Sequence, residues 1–165
     1  MNLENKTLLI TGANGGLGQA LVRYAINHNA AKIYCCARDV AKLEPLKTLG
    51  ENVELCPLDI TDKSQIAAFA QTIGSIDILI NNAGVNSGKR VFDESTDDFE
   101  VNVQGTLNVC RGLRTKISKG GAIVNISSIP SNNASAISSG EVFSIGWSLL
   151  ISVSIGPGNT SYTSI

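Results

Sequence analysis

The residues best suited to chemistry come early, in the run Thr11-Gly12-Ala13-Asn14-Gly15-Gly16-Leu17-Gly18. Glycines at 12, 16 and 18 have separate uses. The first permits a tight turn, the second lets backbone approach a pyrophosphate, and the third lets a helix pack closely on a strand. A helix starting here aims its first N–H groups and the positive end of its dipole at that phosphate. The flanking sequence supplies this setting. "KTLLIT" (6–11) reads as a buried strand, and "QALVRYAINH" has helical spacing. Leu17, Leu21, Ala25 and Ile26 are expected to share that helix's buried face.

Four more strands are expected to hold the loop in place: "KIYCCA" (32–37), "NVELCPL" (52–58), "IDILINN" (76–82) and "GGAIVNISS" (120–128). Helices are expected between them, over 40–48, 63–73 and 97–117. Pro45 is tolerated in a first turn, and Asp62 is placed to cap the second of these helices. Strands that are continuous apolar runs, alternating with helices, predict a parallel sheet covered on both faces. That is an α/β, doubly wound, Rossmann-like architecture.

The totals narrow the function. A chain of 165 residues with 43% hydrophobic content is the size of one globular domain. Its net charge of −1 gives no reason to expect nucleic acid or an anionic membrane as partner. The single histidine, His28, excludes a histidine-based metal cluster, and no metal site is assigned. Cys35, Cys36, Cys56 and Cys110 lack metal-ligand spacing. They read as free thiols of a reducing compartment, Cys35 and Cys36 on opposite faces of one strand. The N-terminus lacks signal-peptide architecture, and the longest apolar stretch, about 14 residues, is too short to span a bilayer. A cytoplasmic protein is expected.

The glycine spacing, TGxxxGxG, resembles that of the short-chain dehydrogenase/reductase family, and four further matches follow in order. Asp59-Ile60 follows the third strand, where the family's acid meets the adenine. Asn81-Asn82-Ala83-Gly84 matches the NNAG motif ending the fourth strand. Asn102, in "VNVQG", matches the helix asparagine of the family's proton relay. Ser128, ending "VNISS", matches the catalytic serine. The resemblance covers about residues 5–130. It implies hydride transfer between NAD(P)(H) and a small carbonyl or alcohol substrate, with a homo-oligomer as the family's habit. It assigns Thr11, Gly12, Asn14, Gly16, Leu17, Gly18, Asp59, Ile60, Asn82, Ala83 and Gly84 to the cofactor, and Ser128 and Asn102 to catalysis. In such folds an acid ending the second strand holds the ribose and selects NAD. Here that end reads Cys36-Ala37-Arg38-Asp39. A guanidinium at Arg38 pairs with a 2′-phosphate, so NADP(H) is expected in preference to NAD(H), with Asp39 as a possible counter-charge.

The resemblance fails where the remaining chemistry belongs. The family's tyrosine lies about 13 residues after the serine and its lysine four beyond. Here those positions are Glu141 and Ile145, and no lysine follows Lys119. Composition changes in the same region. All 13 Lys and Arg lie at or before Lys119, and Glu141 is the sole acid after Glu100. Serine occurs five times in residues 1–125 and twelve times in 126–165. "VFSIGWSLLISVSI" (142–155) alternates apolar residues with period two, as a strand does. A boundary is therefore expected near Pro130, between a dinucleotide-binding domain (1–130) and an atypical Ser/Ile-rich tail (131–165). Three readings follow: a truncated or frame-shifted reductase lacking Tyr-x-x-x-Lys, a non-catalytic dinucleotide binder, or a rearranged active site using Glu141. Phe99 also stands three residues before Asn102, where the family spaces its aromatic about seven. One helical turn is thus lost, and the buried face is expected to keep its phase.

Overall fold

The structure, a computed structural model, describes residues 2–86, 97–131, 146–155 and 159–164. Strand β1 (Thr7–Thr11) leads into α1 (Gly16–Asn27) and then β2 (Lys32–Ala37). A 3-10 turn (Val40–Leu43) continues into the short α2 (Glu44–Lys47), which accepts Pro45 in its first turn. Next come β3 (Val53–Pro57), α3 (Lys63–Thr72) and β4 (Ile76–Asn81). Asp62 caps α3 as expected, its carboxylate accepting the N–H groups of Ser64 and Gln65.

These strands form a parallel sheet in the order β3-β2-β1-β4, extended by β5 (Ile117–Ser131). Helices cover both faces. Leu8, Ile10, Ile33, Cys35 and Ile80 pack beneath α1 and α2, against Val22, Ala25, Leu43 and Leu46. Leu9, Cys36 and Leu79 pack on the other side, against Ile66 and Ala70 of α3 and Val109 and Leu113. Burial on both sides explains why "LLI" carries no polar alternation. Each such side chain contributes about 1.5–3 kcal/mol when withdrawn from water. Cys35 and Cys36 lie on opposite faces, buried and unbridged.

Two helical expectations need correction. Of the expected face of α1, Ala25 is buried and Leu21 and Ile26 pack partly buried against the core, but the fully buried stripe is Gly18, Val22 and Ala25, and Leu17 is 43% exposed. Close packing of Gly18 on the glycine loop sets the helix's rotation and turns Leu17 outward. The segment expected as one helix over 97–117 is composite: α4 (Asp97–Phe99), a π-helical turn (Glu100–Gly105), α5 (Thr106–Gly112) and a 3-10 turn (Arg114–Lys116). Phe99 is 64% exposed and does not join the core; Val103 and Leu107 line up with it on the outer surface. A π turn closes i→i+5 hydrogen bonds, so the apolar phase shifts where a regular helix would have kept it.

Beyond β5 the sheet continues with antiparallel strands β6 (Gly146–Ile155) and β7 (Asn159–Ser164), completing the order β3-β2-β1-β4-β5-β6-β7 among the described residues. The alternating stretch is thus a strand over most of its length. The composition change after Lys119 falls within β5, whose register with β6 runs from Ala122↔Ile155 to Ser131↔Gly146.

Candidate functional site

The site is built at the C-terminal ends of β1, β2 and β4, beginning with the glycine loop. Gly12 has φ +64°, and a Cβ there would lie 2.7 Å from the Ala83 Cα. A Cβ at Gly18 would lie 2.3 Å from the Gly12 carbonyl oxygen. Both positions therefore exclude any side chain. Gly16 differs, because a Cβ there meets nothing within 4 Å. Its backbone borders open space at the start of α1, where the first turn carries no acidic side chain.

The loop is tied to the end of β4 through buried Thr11. Its Oγ1 accepts the N–H groups of Asn82 and Ala83, each at 3.0 Å. In return the Asn82 side-chain amide donates to the carbonyls of Thr11 (3.0 Å) and Gly12 (3.1 Å). Four hydrogen bonds thus hold the glycine turn against Asn82-Ala83-Gly84. Asn102 extends the arrangement outward. Its Oδ1 accepts the Val85 N–H and its Nδ2 donates to the Val85 carbonyl, both at 2.8 Å. The Asn102 carbonyl accepts from the Thr106 hydroxyl.

A third wall comes from the segment after β3. Asp59 Oδ1 accepts from the Thr61 N–H (2.9 Å) and hydroxyl (2.7 Å), while the Asp59 N–H donates to Gln65 Oε1. The Asn108 amide of α5 donates to the Ile60 carbonyl. Gly105 leaves room for the Ile60 side chain, which a Cβ would meet at 2.7 Å.

Together these walls enclose a groove of about 390 Å³. It brings together Gly12, Asn14, Gly16, Leu17, Gly18 and Arg38 with Asp59, Ile60, Asn82, Ala83 and Gly84. Of the twelve residues expected at a cofactor, only Thr11 stays out of the lining. It acts from behind, holding the loop. Leu17, exposed as a helix residue, is explained here as part of the groove. Gly15, Ala37, Leu58, Val85, Val101 and Lys42 also line it and were not anticipated. Lys42 could have been found only by knowing that a 3-10 turn brings residue 42 back to the end of β2. Asp39 does not pair with Arg38. Its carboxylate accepts the Ala41 N–H (3.1 Å) and stands 3.7 Å from Lys42 Nζ.

A polar cluster lies behind the NNAG segment. Asn81 Nδ2 donates to Asn125 Oδ1 (2.8 Å) and to Cys110 Sγ (3.2 Å), linking β4, β5 and α5. Burial raises the Cys110 thiol's pKa, and the Asn81 bond partly offsets it. Burial also pushes Cys35 up to about 12 and raises Cys36, with Cys56 adding to both. None of these three thiols is activated as a nucleophile.

Ser128 lies on β5, paired in register with Leu149 of β6. Glu141 and residues 87–96 of the loop after the NNAG motif lie outside the described residues. Tyr162, the last tyrosine, sits on β7 opposite Ser152, which in turn faces Asn125. Two strand spacings sideways and three residues along place its Cα about 14 Å from that of Ser128. No helix among the described residues is long and apolar enough to cross a membrane.

Comparison with known proteins gives the same outline. The sequence profile described as short chain dehydrogenase matches residues 6–140. The uncharacterised oxidoreductase YxbG of Bacillus subtilis is 35% identical over 154 residues, covering 84% of this chain and 55% of the relative. A short chain dehydrogenase from Burkholderia cenocepacia in complex with NADP is similar at TM-score 0.65 and 33% identity, over 76% of this chain and 54% of that one. The 3-ketoacyl-(acyl-carrier-protein) reductase from Brucella melitensis, complexed with NADH, gives TM-score 0.60 and 30% identity, over 69% and 51%. The chain spans about half the length of these proteins.

Proposed function

Because the chain belongs to the short-chain dehydrogenase family, we propose that it is the cofactor-holding part of an NADP(H)-dependent oxidoreductase acting on a carbonyl or alcohol substrate. The observation carrying this reading is the groove itself. Gly12 and Gly18 are closed to any side chain, Gly16 borders open space, and the N–H groups opening α1 lie between them. A pyrophosphate needs such a cradle of backbone donors free of Cβ atoms.

When bound, the cofactor supplies or accepts the hydride at its nicotinamide ring. The chain's own residues bind and orient. Gly12, Asn14, Gly16, Leu17 and Gly18 hold the diphosphate, and Asp59 and Ile60 hold the adenine. Asn82, Ala83 and Gly84 form the floor towards the nicotinamide, braced by Thr11. Arg38 meets a 2′-phosphate, since the nearby carboxylate of Asp39 is engaged elsewhere. Ser128 orients the substrate oxygen. Asn102 anchors the proton relay, holding the segment after the NNAG motif through Val85.

A general acid at the substrate oxygen is worth about 10²–10⁴ in rate, and this sequence contains no Tyr-x-x-x-Lys to supply it. The charge-poor sequence after residue 140 also falls outside the family match, which supports reading it as out-of-frame sequence foreign to the family. The chain is then a dinucleotide binder with turnover near background. A cytoplasmic setting fits its four free cysteines, and the exposed Phe99, Val103 and Leu107 suit contact with a second copy.

Binding tests the cofactor assignment. The chain should prefer NADP(H) over NAD(H) by about tenfold or more, and Arg38→Ala should remove the preference. Equal affinity in the parent protein would overturn it. Re-sequencing the coding DNA past codon 128 tests the origin of the tail. A Tyr-x-x-x-Lys about 13 codons on, in another frame, is the supporting result. Its absence from every frame favours a purpose-built, non-catalytic dinucleotide-binding protein.

A further inference from the structure

Two thiols that the cofactor site does not use stand side by side behind it. Cys36 of β2 and Cys56 of β3 are direct partners in the parallel register. Both side chains enter the same core, with Leu9 and Leu79, and are 0% and 4% exposed. Cys35 pairs instead with Leu55 and enters the opposite core, so the strand's period of two separates it from Cys56. The Cys36 thiol is in hydrogen-bond contact with that of Cys56, and the Cys56 thiol also donates to the Glu54 carbonyl at 3.7 Å. Neighbouring strands run about 4.7–4.9 Å apart, inside the Cα separation of about 4.4–6.8 Å that a disulfide spans.

A bond between these sulfurs would be felt in the groove. Each strand ends one residue later, at Ala37 and Pro57, which are themselves partners, and the Leu58 N–H donates to the Ala37 carbonyl at 2.9 Å. Arg38 and Asp59, just beyond, line the groove. A disulfide holds its Cβ atoms about 3.8 Å apart, about 1 Å less than the strand spacing, so closing it draws the two walls out of line. The position also offers access. β3 has five residues and stands at one end of the sheet order, and such an edge opens at lower cost than strands paired on both sides. Burial keeps the Cys36 thiol unreactive while the sheet is closed, so oxidation waits on that opening.

We propose that Cys36 and Cys56 form a reversible redox switch, bridged by hydrogen peroxide when β3 opens, and that the bridge weakens dinucleotide binding. The effect on binding rests on the dinucleotide reading above; the bridge itself does not. The exposed Cys56 sulfur attacks the peroxide O–O bond and becomes a sulfenic acid as water leaves. The Cys36 sulfur then attacks that of Cys56, forming the S–S bond, and the departing hydroxide takes the Cys36 proton as a second water. Two thiols are oxidised and one peroxide is reduced. A dithiol reverses the change by thiol–disulfide exchange. In a reducing compartment such bridges are transient and redox-sensing.

The test treats the full chain with hydrogen peroxide, removes the oxidant, alkylates the remaining thiols and locates any bridge by peptide mapping. NADPH is titrated into reduced, oxidised and re-reduced samples. A Cys36–Cys56 bridge should form in the wild type and in Cys35→Ala. The oxidised chain should bind NADPH about tenfold more weakly, with dithiothreitol restoring the affinity, and Cys56→Ser should lose this response to peroxide. Thiols that react only once the chain is unfolded, or a bridge that joins Cys35 to Cys36 or two chains through Cys110, would overturn the switch. A mapped Cys36–Cys56 bridge with unchanged NADPH affinity would overturn its control of the groove. A reduced wild-type chain that binds no NADPH would defeat the dinucleotide reading and with it that control, while the mapping still decides whether the bridge forms.

Discussion

Residues 7–86 and residues 117–164 contribute strands to one sheet by different means. In the first region every strand is parallel to its neighbour, both faces are covered by helices, and the strand ends converge on a groove. In the second, β5 is a parallel partner of β4 on one side and an antiparallel partner of β6 on the other, and β6 in turn pairs antiparallel with β7. Parallel strands need crossover helices, and those crossovers create the loops and helix N-termini that bind phosphate. Antiparallel strands need none. The region that builds a cofactor site is therefore the one with the crossovers.

The largest effects should separate the two regions. Gly18→Ala puts a methyl group into the Gly12 carbonyl and should cost about 3 kcal/mol in urea unfolding, with loss of dinucleotide binding. Gly16→Ala is its counterpart. Nothing opposes the new methyl sterically, so stability should be unchanged while NADP(H) binding weakens. If Gly16→Ala binds like the parent, the pyrophosphate does not lie there. In the second region, Ser152 is paired on both sides, with Asn125 and Tyr162. Ser152→Pro should cost about 3 kcal/mol locally. Hydrogen exchange should accelerate in β6 and β7 and stay slow in β1 to β4. Equal acceleration everywhere would show the two regions to be one cooperative unit.

A middle-sized effect concerns the clamp. Thr11→Val keeps the shape but deletes the oxygen that accepts two N–H groups. It should cost about 2 kcal/mol and weaken dinucleotide binding. The buried thiols give a pH effect of similar origin. Below about pH 9 Cys35 is neutral in both folded and unfolded chains. Above it the unfolded thiol ionises, while the folded one, pushed up to about 12, stays neutral. The unfolded state then binds fewer protons, so stability falls as pH rises from about 9 towards 12. Cys35→Ala should flatten that decline in the urea midpoint. The smallest effect belongs to the surface pair Lys32–Glu54. Glu54→Gln should cost about 0.5 kcal/mol, and less in high salt.

The first region was almost fully legible in the sequence. Its strands are apolar on both faces, and its glycines are fixed by close backbone approaches that no other residue satisfies, so pattern and structure carry the same information. Leu17 misled because helix spacing names a stripe without fixing its rotation; the Gly18 contact does that. The approach of Lys42 to the groove was not legible because it depends on a turn that folds back, a tertiary fact without a local signature. The π turn at Glu100–Gly105 was likewise invisible, since its residues would suit an ordinary helix. In the second region the period-two alternation of 142–155 did announce a strand. The direction of that strand and its partner were not readable, because alternation fixes a face and leaves pairing open.

The most direct test is a titration of NADPH into the intact chain, followed by fluorescence or calorimetry, with a carbonyl-reduction assay on the same sample. The account predicts saturable one-site binding, lost in Gly18→Ala, with turnover near background. Failure to bind NADPH, or binding that Gly18→Ala leaves untouched, would contradict it.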